Sequence, residues 1–134
     1  MPLVRIDVNQ GRSADELRRL SQGIHDAIRA EYGIPERDYF HVLTEHPRGQ
    51  IVAQDAGLGF ERTPGVVMIQ IFTQAGRSQE AKQSLFAAIA DRLAVLDIAG
   101  EDVFIGYMEN AAGDWSFGFG RAQYTTGELA VPRK

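Results

Sequence analysis

Residues 4–13 read VRIDVNQGRS, and residues 69–78 read IQIFTQAGRS. In the first, Val4, Ile6 and Val8 alternate with Arg5 and Asp7, the period-two pattern of a half-buried strand. Downstream, Ser13-Ala14-Asp15-Glu16 has the form of a capping box, and Leu17, Leu20, Ile24 and Ile28 then recur at helical spacing. Gly33 with Pro35 just beyond predicts the helix end, and Tyr39 to Glu45 reads as a second strand. Strand, helix and strand with a crossover of this length make a βαβ unit, parallel and right-handed.

The second stretch starts the same sequence of events again. Val66 to Thr73 is apolar enough for a central strand, Ser78 can cap a helix carrying Leu85, Ile89, Leu93 and Leu96, and Val103 to Met108 follows as a strand. An offset of 65 residues places Val4 on Ile69, Ile6 on Ile71, Gly11-Arg12-Ser13 on Gly76-Arg77-Ser78, Leu20 on Leu85 and Ile24 on Ile89. Past the helix the offset becomes 64, and Ile34, Asp38, Phe40 and Glu45 fall on Ile98, Asp102, Phe104 and Glu109. Matches in this order argue for an internal duplication, about 2–46 and 67–110, within one domain spanning 1–134, with a tail over 111–134. Two unrelated units sharing capping chemistry is the alternative. The expected fold is α+β. Its four-stranded mixed sheet is parallel within each unit and antiparallel between them, with both helices on one face. The turn-rich segment from His46 to Gly65 is a connection with room for a short hairpin. The tail carries Trp115, Phe117, Phe119 and Tyr124 and is too apolar for a disordered end, so it is expected to pack against a neighbouring subunit.

Composition narrows the function. The chain has 134 residues, 44% hydrophobic and 24% charged, as in an ordinary globular protein, and no apolar run nears the roughly 20 residues of a membrane span. With 18 acidic residues against 14 Lys plus Arg, the basic residues scattered, no concentrated cationic face is available for nucleic acid. The absence of cysteine removes thiol chemistry, and without a signal-peptide pattern the expected location is cytoplasmic. His25, His41 and His46 lack metal-ligand spacing, and the Gly57-Leu58-Gly59 and Gly118-Phe119-Gly120 pairs lack the third glycine and strand-to-helix setting of a dinucleotide site. No metal or cofactor is expected.

Pro2 stands directly ahead of the first strand, where a residue without an amide donor is tolerated. Its counterpart is Val67, so the strand itself does not demand proline. A methionine before a small residue is normally removed, which would leave Pro2 as a free secondary amine. Such an α-amine titrates near or somewhat above about 7.7–8.0. Burial beside Trp115 and Phe117 would push it towards a base, and a neighbouring Asp38 towards a cation.

An amino-terminal proline ahead of a short βαβ unit fused to a second copy that lacks it resembles the tautomerase superfamily, and within it the malonate semialdehyde decarboxylase group. The resemblance rests on Pro2-Leu3, Gly11-Arg12, Asp38 after Pro35, Asp55-Ala56-Gly57-Leu58-Gly59-Phe60, Arg77 before the second helix and Asp114-Trp115-Ser116-Phe117-Gly118. It runs over nearly the whole chain. It implies Pro2 as the catalytic centre, Asp38 as its acidic partner, Arg77 as the anchor of a substrate carboxylate, and an apolar wall of Trp115, Phe117, Tyr124 and Leu129. It also implies a homotrimer without cofactor, acting on a small carboxylate. Some members carry two arginines before the second helix; here Gln74 stands in for one as a neutral donor. Simpler roles stand beside these. Arg77 could be a solvated charge or a partner of Glu80, Asp38 a local backbone acceptor, and Trp115 and Phe117 core or subunit packing. The function expected is decarboxylation of a small 3-oxo acid such as malonate semialdehyde. A keto-enol tautomerase or hydratase of 2-oxo or acetylenic acids is the alternative enzyme, and a non-catalytic ligand-binding module the alternative class.

Overall fold

The computed structural model describes residues 2–131; the expected removal of Met1 and the last three residues of the tail lie outside them. The strands and α-helices among the described residues follow in the order β1 (Leu3–Asn9), α1 (Ala14–Tyr32), β2 (Phe40–His46), β3 (Val67–Gln74), α2 (Gln79–Ala94), β4 (Val103–Asn110) and the single turn α3 (Gln123–Thr126). The four strands form one sheet in the order β2-β1-β3-β4. β1 runs parallel to β2 and β3 parallel to β4, whereas β1 and β3 are antiparallel, with Val4 opposite Ile71 and Ile6 opposite Ile69.

The two units are built alike in detail. Val4 pairs with His41 as Ile69 pairs with Ile105, which are equivalent positions at the offsets read from the sequence. Gly11 and Gly76, at φ 135° and 127°, make the same left-handed turn after their strands. Ser13 and Ser78 then cap α1 and α2 with the same backbone angles, each hydroxyl accepting from the amide three residues on. Ser13 completes a capping box with Glu16, whose carboxylate these amide and hydroxyl donors hold below the usual range. α1 stops at Gly33 (φ 65°), and the equivalent Asp97 (φ 63°) closes the turn after α2. That turn leaves Leu96 outside the helix, which ends at Ala94.

Both helices lie on one face. Val4, Ile6, Val8, Val67, Ile69 and Ile71 of the sheet pack against Leu20, Ile24, Ile28, Leu85, Ile89 and Leu93 of the helices in one buried core. Each such side chain removed from water contributes about 1.5–3 kcal/mol. The opposite face of the sheet carries Arg5, Asp7 and Gln70 and leaves Phe40, Val42 and Phe104 between 41% and 45% exposed.

No strand forms between residues 47 and 66, so the expected hairpin is replaced by irregular chain. Side chains close its turns instead of strand pairing. The Asp55 carboxylate accepts from the Gly57 and Gly59 amides at 3.1 and 2.7 Å, and Arg62 reaches the Glu101 carbonyl at 2.6 Å. The tail folds back on its own chain, with Phe117 against Phe40 and Tyr124 at ring separations of 5.8 and 5.2 Å. Phe119, at the tip of the 118–121 turn, points outward.

A polar cluster interrupts the core where α1 meets β2. Ser21 Oγ bonds both the Tyr39 hydroxyl and His41 Nδ1, at 2.7 and 2.8 Å. Burial, with the nearby His25 adding to it, lowers the His41 pKa from 6.5 to about 4. The unfolded chain takes up this proton near pH 6.5 and the folded chain holds out to about 4. Stability is therefore full above the upper value and falls as pH drops through the window, by about 3 kcal/mol. Urea unfolding between pH 7 and 4 is expected to show this loss, and His41→Asn to flatten it.

Candidate active site

The antiparallel pairing of β1 with β3 sets the site. Leu3 lies opposite Phe40 on one side and Phe72 on the other. Continuing each register by one residue brings buried Pro2 level with Tyr39 and with Thr73. The first is the neighbour of Asp38. The second receives Arg77 Nη1 at 3.4 Å. Pro2 thus starts its strand between the acid of one βαβ unit and the arginine of the other.

Asp38 is buried, 8% exposed, at the turn before β2, where its amide closes on the Pro35 carbonyl at 3.1 Å. Burial raises its pKa, while nearby His25 and Arg77 act in the opposite direction. The turn is anchored from α1. His25, fully buried, bonds the Glu36 carbonyl through Nε2 at 2.8 Å, and its ring stacks on Tyr39 at 3.9 Å. These contacts bracket Asp38 on both sides in sequence.

Asp38, Phe117, Tyr124 and Leu129 line one apolar cavity of about 330 Å³, together with Pro35, Arg37, Phe40 and Ala130. Trp115, Pro2 and Gln74 do not line it. Trp115 stacks behind Phe117, ring centres 6.2 Å apart and planes nearly parallel, and donates from Nε1 to Asn110 at 2.7 Å. Asn110 in turn is the register partner of half-buried Gln74. The Tyr124 pKa is raised to about 12, by burial first and then by the charge of Asp38, with Arg77 opposing. That phenol stays a neutral hydrogen-bond donor beside an acid and a cation.

Arg77 lies over a second cleft, of about 240 Å³, lined also by Tyr32 and the start of α2. It is 9% exposed, and its Nη2 is buried without a hydrogen-bond partner. Its guanidinium carbon sits 4.1 Å over the Tyr32 ring. An unmet guanidinium donor inside a protein is costly unless something supplies an anion. Among the described residues no group of three His, Cys, Asp or Glu could hold a metal ion, and none of the helices is long and apolar enough to cross a membrane.

A family model described as a tautomerase enzyme matches residues 38–118, and another of the same description matches residues 2–61. The chain belongs to the tautomerase family. It is 36% identical over 130 residues to the probable tautomerase YrdN of Bacillus subtilis (strain 168), covering 96% of this chain and 100% of that one. Its structure superposes with a TM-score of 0.95 on FG41 malonate semialdehyde decarboxylase inhibited by 3-bromopropiolate, at 55% identity and covering 97% of this chain and 99% of that one. A fused 4-OT described as a symmetric trimer shares the fold at 22% identity and TM-score 0.76, over 93% and 98% of the two chains.

In this tautomerase-family chain the opposite end of the sheet carries the equivalent acid and arginine, Asp102 of the second unit and Arg12 of the first, and they are occupied by the chain itself. Arg12 Nη2 donates to the Gly65 carbonyl at 2.7 Å. Asp102 accepts from the Thr63 amide and hydroxyl at 2.7 and 2.5 Å. The segment 63–66 that leads into β3 lies across this pair, and a side chain at Gly65 would come within 3.2–3.5 Å of Thr63, Asp102 and Arg12. Tyr32, His25 and Phe40 are not among the expected site residues: His25 lacks metal-ligand spacing, Phe40 is matched only to Phe104, and nothing local sets a tyrosine at a helix end apart. One signal for Tyr32 was present: its equivalent is Leu96.

The two pairs are expected to respond oppositely in urea unfolding. Asp102→Ala leaves the Thr63 donors unmet and should cost about 2–4 kcal/mol. Arg77→Ala removes an unmet donor and should change stability by less than about 1 kcal/mol.

Proposed function

We propose that the chain is a cofactor-independent decarboxylase of a small 3-oxo acid of the malonate semialdehyde kind, with Pro2, free after loss of Met1, as the catalytic amine. The observation that carries the reading is the buried, unpartnered Nη2 of Arg77 at the sheet end where Pro2 and Asp38 meet. It provides a fixed carboxylate fork next to a terminal amine and an acid. The 55% identity to a malonate semialdehyde decarboxylase over nearly the whole chain supports the same substrate class.

In this scheme Arg77 orients the carboxylate, with Gln74 as a neutral second donor. The charge of Asp38 favours protonated Pro2, which polarises the 3-oxo group. The bond to the carboxylate breaks, its electron pair moves into the polarised carbonyl to give an enol, carbon dioxide leaves, and a proton returns to carbon. Phe117, Tyr124 and Leu129, backed by Trp115, keep water from the intermediate. We read the two units as copies of one ancestral unit, of which only the copy beginning at Pro2 kept an open site. The half-exposed sheet face with Phe40, Val42 and Phe104 supports assembly as a homotrimer, as does the fold shared with a protein described as a trimer.

The 36% identity to a probable tautomerase favours a second reading, keto-enol tautomerisation or hydration of a 2-oxo or acetylenic acid with Pro2 as base. Titration of the Pro2 nitrogen separates the two: about 8 or above fits the cation, about 6 the base. Mass spectrometry should find the chain without Met1; retained Met1 would block the amine and exclude both enzymatic readings, leaving a ligand-binding module. Pro2→Ala should lower kcat at least about tenfold, and Arg77→Ala should raise KM about 10–100-fold.

A further inference from the structure

The two equivalent arginines are held in place by different means. Arg12 is fixed by the Gly65 carbonyl at 2.7 Å. Arg77 has only the long contact to Thr73, and its guanidinium lies face-on over Tyr32, 4.1 Å from the ring centre. Tyr32 and Leu96 occupy equivalent positions, each directly before the left-handed residue that ends its helix or turn, Gly33 and Asp97. An aromatic ring is therefore present beside the arginine whose fork is vacant and absent beside the one whose fork is filled.

The ring is itself fixed. The Tyr32 hydroxyl donates to that of Tyr107 at 3.2 Å. Tyr107 meets Phe86 edge-on at 6.2 Å and carries Lys82 over its face at 5.1 Å, with Lys82 paired to Glu109 at 3.1 Å. Burial, the Tyr107 hydrogen bond and the charge of Glu109 push the Tyr32 phenol upward, so it stays neutral. A carboxylate or carbonyl in this position would hold the guanidinium by consuming its N–H groups. A π face holds the plane of the fork and uses none of them.

We propose that Tyr32 is the positioning residue for substrate recognition, a face-on clamp that presents the Arg77 fork, with Nη2 unspent, to the ligand carboxylate. The proposal rests on Arg77 as the carboxylate anchor of the function given above. The clamp explains how a buried guanidinium keeps one geometry before a ligand arrives, which lowers the ordering cost of binding.

The test is a double-mutant cycle read by two assays: malonate affinity by calorimetry, which needs no turnover, and KM and kcat for the 3-oxo acid. Tyr32→Leu should weaken malonate binding and raise KM about tenfold, with kcat changed less than about threefold. Tyr32→Phe, which keeps the ring, should recover most of that loss. In the Arg77→Ala background Tyr32→Leu should have no further effect. The proposal is overturned if the Tyr32→Leu loss is as large without Arg77 as with it, if Tyr32→Phe behaves like Tyr32→Leu, or if Arg77→Ala leaves malonate binding unchanged. Should Tyr32→Leu fail to fold, Tyr32→Gln serves in its place, lacking a ring but keeping bulk and a polar tip. A wild-type protein that binds malonate through this cycle yet turns over no 3-oxo acid would refute the decarboxylase reading and uphold the clamp.

Discussion

Backbone hydrogen bonding between β1 and β3 joins the two βαβ units, and its antiparallel register, Val4 to Ile71 and Ile6 to Ile69, determines where every later feature falls. Because the pairing is antiparallel, the start of β1 lies beside the end of β3. The loop leading to α2 therefore delivers Arg77 to the same sheet end as Pro2, while the parallel β1–β2 pairing delivers Asp38 from the other side. A shift by one residue would turn the apolar rows of β3 away from the helices, so the core that specifies the register also specifies the site.

The near-symmetry of the units makes their differences informative. Each presents an acid before its second strand and an arginine before its helix. Asp102 and Arg12 are satisfied by Thr63 and Gly65, because β3 is preceded by chain that must run past them. At the other end of the sheet, where β1 starts, the described residues supply no such segment, and Arg77 keeps an unmet donor in a nearly dry setting. One pair is occupied by the chain itself, and in its counterpart the arginine keeps a donor unspent. The fork of Arg77 is held by an aromatic face because a hydrogen-bonding partner would have filled it.

A second scaffold supports the acid. His25 reaches from α1 to the Glu36 carbonyl and stacks on Tyr39, and Ser21 ties Tyr39 to His41, so the turn carrying Asp38 is held by a buried polar network. Such a network is specific in geometry because each member is a partner of the next, and an isolated polar group in its place would be expensive.

Both βαβ units, the capping serines, the end of α1 at Gly33 and the core rows were legible in the sequence, since local periodicity and cap chemistry act within a few residues. Pro2, Asp38 and Arg77 stood out by comparing the two halves and by family likeness. The middle segment was harder: its short apolar pieces suggested a hairpin, but Asp55 and Arg62 close its turns through side chains that no periodicity announces. Tyr32, His25 and Phe40 gained their meaning only in three dimensions. The sequence by itself determined the two strand–helix–strand units and set Pro2, Asp38 and Arg77 apart from the core pattern. Tertiary structure alone decided that the three converge, and that a ring from the end of α1 lies under the guanidinium. Those contacts join positions far apart in the chain, where the energy depends on distance and orientation in space and leaves no local pattern.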